Sequence, residues 1–428
     1  MRFLRSLVFY SSSPCERFFS TAGCLYSQVT KALQVQIEKM ESGKGVEIEW
    51  QSGGKSRFHS SWLRMNCQCS KCSQGHSGQR ELNVAKLPEN ISLAHVDFSE
   101  SSSVLKVSWK NEEEHTSVFP LDWLQQHSYS RQDIERQSVQ RKFQAFQGKD
   151  IPSVNYHDIV NTDSALLEWL LQVNHHGISV VKKVPSEEDS VLKVARKMGP
   201  VLRTIYGEVF DVISMPKPIN IAYSSAYLPL HMDLAYYQSP PGIQLLHCLR
   251  FDPQVAGGES IFLDIFAVAE RFRETHPEEF NTLVRVPATF QKIHFERDYP
   301  VYLKYQRPHI SLNHRKEIVA ITWSPPFEGP LFVDEDDVEA YYNAYRKFND
   351  AIEKSPLLLK FKLNEGELVA FNNIRVLHGR GEFELNGGNR HLKGCYVNID
   401  EFRNKVDVIS QLKGDGQLSK RVGNNCFF

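Results

Sequence analysis

The chain of 428 residues carries 50 Lys and Arg against 51 Asp and Glu, with 41% hydrophobic residues, the composition of an ordinary globular protein of two or three domains. A formal net charge of −1 leaves no excess of cations to neutralise phosphates, which excludes an electrostatic case for nucleic acid or an anionic membrane. No stretch approaches the roughly 18 consecutive apolar residues of a membrane span, and 8 Cys are too sparse for a disulfide scaffold, which fits a reducing, intracellular compartment.

Residues 1–35 hold Arg2, Arg5 and Arg17, with Ser6, Ser11, Ser12, Ser13, Ser20 and Ser27 and one acid, Glu16. This Arg- and Ser-rich, acid-poor stretch predicts a mitochondrial transit segment, a cytoplasmic protein with an unaddressed extension being the alternative. Residues 40–125 read as a small β-rich module. Strand patterns run from Val46 to Arg57 and from Val104 to Pro120, where Leu105, Val107 and Trp109 alternate with polar neighbours. Residues 126–150 are rich in Gln, Ser and Arg without sustained period, and read as a linker.

The second domain is placed at 151–412, with a tail at 413–428. Helical spacing marks Ala165 to Val173, Asp189 to Met198, Phe266 to Phe280 and Val338 to Ile352, while Gly177 to Val184, Ile243 to Leu249, Ser260 to Asp264 and Leu368 to Phe371 read as buried strands. Without βαβ alternation or a glycine-rich strand-to-helix turn, the pattern predicts a mainly β fold: an antiparallel core with flanking helices.

Three groups of residues carry candidate chemistry. Cys67, Cys69 and Cys72 lie within six residues, so several thiolates can converge on one tetrahedral Zn(II), with His76 or His115 as the fourth ligand and a reduced cluster without metal as the plain alternative. Four filled positions would make such a zinc structural. His-x-acid pairs occur at His95/Asp97, His231/Asp233, His276/Glu278 and His294/Glu296, so the pair alone decides nothing. His231/Asp233 is distinguished by His378, after a strand, and Arg390, which opens another. Together they can supply two imidazoles and a carboxylate for non-haem Fe(II) and a two-pronged grip on a carboxylate. Third, Tyr206, Phe210, Tyr223, Tyr227, Tyr236, Tyr237 and Tyr396 flank these segments. Several aromatic faces around one point can hold a quaternary ammonium, although core packing accounts for any single one.

With these residues in view, the chain resembles the γ-butyrobetaine dioxygenase and trimethyllysine dioxygenase family of Fe(II)/2-oxoglutarate oxygenases from about Val46 to Leu412. The motifs are Trp62-Leu63-Arg64, Leu121-Asp122-Trp123, Ile205-Tyr206-Gly207, Asn220-Ile221-Ala222-Tyr223, the His231 motif, Pro241 to Cys248, Arg375 to Arg380 and Arg390 to Tyr396. The resemblance implies a double-stranded β-helix (jelly-roll) domain with iron on His231, Asp233 and His378 and 2-oxoglutarate on Arg390. It also implies zinc on Cys67, Cys69, Cys72 and His115, ascorbate as reductant, and a homodimer.

The implied reaction is hydroxylation by O2 coupled to conversion of 2-oxoglutarate to succinate and CO2. The cysteine triplet and Asn220 are similar to the butyrobetaine branch, which makes L-carnitine; Tyr206, Tyr223 and Tyr396 look like its trimethylammonium cage, and Phe210 stands in place of an indole there, a smaller face. After Ile321, where that branch would carry an Asn-Asn pair and an Arg, this chain reads Thr322-Trp323-Ser324-Pro325-Pro326-Phe327-Glu328. Trimethyllysine or another betaine-like substrate is therefore the first rival, and a silent binding homologue the second.

Overall fold

The computed structural model describes residues 35–422 apart from 52, 111, 144, 145, 147–150 and 215–220. The transit segment read over residues 1–35, Val35 excepted, lies outside the described residues, as does Asn220. The chain divides into two compact units, Met1–Ser138 and Val139–Phe428.

The first unit holds two three-stranded antiparallel sheets, Gln36–Lys39, Gly45–Glu49 and Lys55–His59, then Leu93–Ser99, Val104–Trp109 and Glu112–Pro120. Alternation places Val46, Ile48, Phe58, Leu105, Val107 and Phe119 in one buried cluster with Leu63 and Leu121. Within the stretch read as a linker, Arg131–Arg141 is an α-helix. Its signal is a cap, not an apolar stripe, since Ser130 Oγ accepts from the Asp133 amide at 3.1 Å.

The second unit is built on two sheets. The larger runs in the order Ser153–Asn155, Ile178–Lys182, Leu368–Asn372, Ile243–Phe251, Arg390–Val397, Phe210–Ile213, and the smaller in the order Leu228–His231, Val376–Arg380, Ser260–Asp264, Leu359–Phe361. Pairing is antiparallel except between Ser153–Asn155 and Ile178–Lys182. Leu246, Cys248, Val369, Phe371 and Leu392 from the larger sheet meet Phe262 and Val376 from the smaller. The alternate residues, Leu245, Leu368 and Ala370, pack outward against Leu166, Leu170 and Val173 of the helix Asp163–His176. That helix starts on a Thr162 cap and ends at Gly177, whose φ of 76° suits a residue without a Cβ. This is the expected jelly roll with flanking helices.

Two local expectations change. The single helix read over Phe266 to Phe280 is two, Ile265–Thr275 and Pro277–Arg285, because Pro277 has no amide to continue the first and starts the second. His378 follows the strand Leu368–Asn372 as expected, but itself lies within a further strand, Val376–Arg380, that was not read.

Candidate functional site

Antiparallel pairing sets His231, the last residue of Leu228–His231, directly opposite His378, with ring centroids 4.3 Å apart. The register demands a glycine beside it, since a Cβ on Gly379 would stand 2.7 Å from the Leu228 carbonyl oxygen. Asp233 follows on the turn, with Oδ1 3.5 Å from His231 Nε2 and Oδ2 3.7 Å from His378 Nε2. One ligand atom from each residue lies within 4.8 Å of the others. Of the four His-x-acid pairs, this is the one that a further metal-ligating side chain joins among the described residues.

The turn is held from several sides. Leu234 carries φ of 58°, a strained value for a bulky residue. Asn373 over-determines it, accepting from the Asp233 amide at 2.8 Å and donating to the Asp233 and Pro241 carbonyls at 3.0 Å each. The Met232 amide donates to Trp323 O at 2.8 Å, and Ser324 Oγ donates to Met232 O at 3.0 Å. The Ser324 hydroxyl is thus engaged with the backbone beside the triad.

Burial works against charge on Asp233, but the two imidazoles and the Tyr396 hydroxyl, which donates to Oδ2 at 2.7 Å, hold its carboxyl well below the usual carboxylate range. Burial, with His231 beside it, lowers His378 to about 3, so its imidazole is neutral. His231 Nδ1 lies 2.8 Å from Pro229 O, which as an N–H donor leaves Nε2 free to ligate. Two imidazoles and an ionised carboxylate are the donor set that suits Fe(II) with open positions.

These residues line one cavity with Tyr206, Phe210, Tyr223, Tyr396, Gln244, Leu246, Ser260, Arg380, Leu392 and Arg390. Arg390 is 5% exposed, its Nε has no partner, and among the described residues no carboxylate reaches it. Burial pulls its guanidinium down to about 10, a state that an anionic ligand would relieve. A buried unpaired cation facing a His/Asp/His set in one cavity fits a chelating dicarboxylate. Arg380, also in the wall, is occupied differently, donating to Ala222 O, Ser224 O and Ala226 O at 2.7–2.9 Å. It thereby fixes the segment that carries Tyr223.

Four of the seven aromatics named from sequence line the cavity. Phe210 stacks on Tyr396 at 5.1 Å and stands 6.3 Å from Tyr206; a Cβ on Gly394 would come within 2.3 Å of its ring. Tyr227 is 44% exposed, and neither it nor Tyr236 and Tyr237 lines the cavity. Tyr236 and Tyr237 brace it, with the Tyr236 and Tyr206 hydroxyls 3.4 Å apart and Tyr237 Oη accepting from the Ile205 amide at 2.9 Å. One face of Tyr206 carries the Arg297 guanidinium at 5.3 Å.

In the first unit, the ligand atoms of Cys67, Cys69, Cys72 and His115 lie within 4.8 Å of one another, and His76 is not among them. Arg64, paired with Glu112 at 2.6 and 2.9 Å, donates to Cys72 Sγ at 3.3 Å.

Sequence reading missed Gln244, Asn373 and the part played by Arg380. The first two carried a signal, each being an amide at or just beyond a buried apolar strand.

Residues 138–396 match the taurine catabolism dioxygenase TauD, TfdA family, and residues 37–125 match the γ-butyrobetaine hydroxylase-like N-terminal family. The γ-butyrobetaine dioxygenase of Pseudomonas sp. (strain AK-1) is 32% identical over 86% of this chain and 94% of its own length. A trimethyllysine dioxygenase of Meyerozyma guilliermondii is 28% identical over 89% and 98%, and the γ-butyrobetaine dioxygenase of Homo sapiens 28% identical over 89% and 99%. Fold, donor set and relatives define a non-haem iron, 2-oxoglutarate-dependent dioxygenase. The chain belongs to the TauD, TfdA dioxygenase family. Among the described residues no helix is long and apolar enough to cross a membrane.

Proposed function

We propose that this enzyme hydroxylates γ-butyrobetaine to L-carnitine, with Fe(II) on His231, Asp233 and His378 and the far carboxylate of 2-oxoglutarate on Arg390. Iron and 2-oxoglutarate together supply the oxidation: one oxygen atom of O2 goes to a substrate C–H bond and the other to succinate, with loss of CO2. The observation that carries the reading is the aromatic wall of Tyr206, Phe210, Tyr223 and Tyr396 in the same cavity as the His/Asp/His set. Faces of this kind attract a trimethylammonium group by roughly 0.5–2 kcal/mol each, which orients a flexible substrate. Tyr396 does two things, walling the cavity and holding Asp233 ionised and in place. Leu246 and Leu392 add apolar surface to the same cavity.

Trimethyllysine is the second reading. Its carboxylate lies two carbons further from the trimethylammonium group than that of γ-butyrobetaine, and the Ser324 hydroxyl is engaged by Met232 O while Pro325 has no donor, so this segment offers little to a carboxylate at the shorter reach. Asn220 would contact the substrate in the butyrobetaine reading. A silent binding protein is disfavoured by the complete donor set. The reading further includes a structural Zn(II) on Cys67, Cys69, Cys72 and His115, ascorbate to keep iron reduced, a mitochondrial address in residues 1–35, boundaries at 40–125 and 151–412, and a homodimer.

The test is binding of γ-butyrobetaine against 5,5-dimethylhexanoate, its isostere with a neutral tert-butyl group in place of the trimethylammonium. A preference for the cation of tenfold or more, lost in Tyr223→Leu, supports the cage; equal binding of the two would refute it.

A further inference from the structure

Gln244 lies on the strand Ile243–Phe251, is 1% exposed, and has an Oε1 without a hydrogen-bond partner. Its register partners are Tyr396 on one side and Phe371 on the other. Tyr396 donates to Asp233 at 2.7 Å, and Phe371 packs on His378 at 5.0 Å. The amide therefore stands in the cavity wall between the two side chains that touch the carboxylate and the distal imidazole.

An unpaired buried amide costs roughly 1–3 kcal/mol, and an apolar residue serves the same wall two positions on, at Leu246. The packing does not explain a glutamine here; a polar ligand does. Neither 2-oxoglutarate nor γ-butyrobetaine brings an N–H or O–H donor into the cavity, so the useful half of the amide is its NH2, which, unlike Oε1, is not among the buried unpartnered atoms. Arg390 and Tyr396 share one strand, and the six residue steps from one to the other span about 20 Å. That is the reach of an arginine side chain, a five-carbon dicarboxylate and a glutamine end to end.

We propose that Gln244 is a positioning residue for 2-oxoglutarate, donating through Nε2 to the carboxylate at the end away from Arg390. The proposal rests on the assignment of that opposite end to Arg390. It gives the cosubstrate a second anchor, so that the chelating end is oriented by the protein as well as by the metal.

The full-length protein loaded with Mn(II), which supports no turnover, allows 2-oxoglutarate and γ-butyrobetaine binding to be titrated by calorimetry. Gln244→Leu should weaken 2-oxoglutarate about tenfold and leave γ-butyrobetaine within twofold. Gln244→Glu, of the same shape but with donors replaced by a carboxylate at pH 8, should weaken 2-oxoglutarate further, which a purely structural role would not produce. Unchanged 2-oxoglutarate binding in Gln244→Leu, or equal loss of both ligands, would overturn the proposal. Arg390→Leu separates the two readings: normal binding there would refute the Arg390 assignment, whereas loss there with an unaffected Gln244→Leu would refute Gln244 alone.

Discussion

The Tyr396 hydroxyl donates to Asp233 Oδ2 at 2.7 Å, so the aromatic wall of the cavity and the carboxylate of the His/Asp/His set are one hydrogen-bonded unit. Partners of metal ligands typically contribute 10- to 100-fold to metal affinity or activity. Tyr396→Phe keeps the ring and removes this bond. Fe(II) affinity or turnover should therefore fall about 10- to 100-fold while trimethylammonium binding is kept, as titration of each ligand would reveal.

Asp264 and Arg375 form a buried ion pair at 2.7 Å, with side chains 5% and 0% exposed. Removing one partner strands the other charge in the core. Asp264→Ala should cost about 3–5 kcal/mol in denaturant unfolding, whereas an exposed pair such as Lys354 with Asp350 should cost under about 1 kcal/mol.

Glu328 accepts from the Tyr345 hydroxyl at 3.2 Å, and burial pushes its carboxyl up to about 7 from an ordinary 4.5. The folded state thus favours the protonated form. Its contribution is fully present below pH 4.5 and is lost as pH rises through about 7, a decline of about 3 kcal/mol. Glu328→Gln should flatten that decline in unfolding measured across the window; an unchanged slope would assign the pH dependence elsewhere.

Cys67, Cys69, Cys72 and His115 close around one point and leave no position for a substrate. Zinc removal by a chelator should loosen the N-terminal unit, read as faster amide exchange in Val104–Trp109 and Glu112–Pro120, with one zinc per chain lost by metal analysis. Cys72→Ser should reproduce the effect without chelator.

Much of this was legible in the sequence where local pattern and long-range contact agree. Leu105, Val107 and Trp109 alternate in sequence and in burial, and the strand Ser260–Asp264 has the bounds its apolar run predicts. His378 was legible as a ligand but not as part of a strand, because Val376–Arg380 mixes His, Gly and Arg and owes its burial and pairing to strands distant in sequence on either side. The hairpin Pro287–His294 with Val301–Pro308 was not read at all, its polar Gln291, Lys292 and Lys304 masking the alternation. Asn373 carries its meaning through contacts with Pro241 and with Asp233, the latter 140 residues away, which no spacing reveals. Spacing alone left the fourth ligand open between His76 and His115; the resemblance implied His115, and the fold places His115, on Glu112–Pro120, with the cysteines.

The most direct test is turnover of purified protein with Fe(II), ascorbate, O2 and 2-oxoglutarate, comparing γ-butyrobetaine, trimethyllysine and no substrate, with succinate counted and product identified by mass. The account predicts succinate and carnitine in equal amounts with γ-butyrobetaine, and neither in His231→Ala. Hydroxytrimethyllysine in place of carnitine would contradict the substrate, and substrate-dependent succinate from His231→Ala would contradict the site.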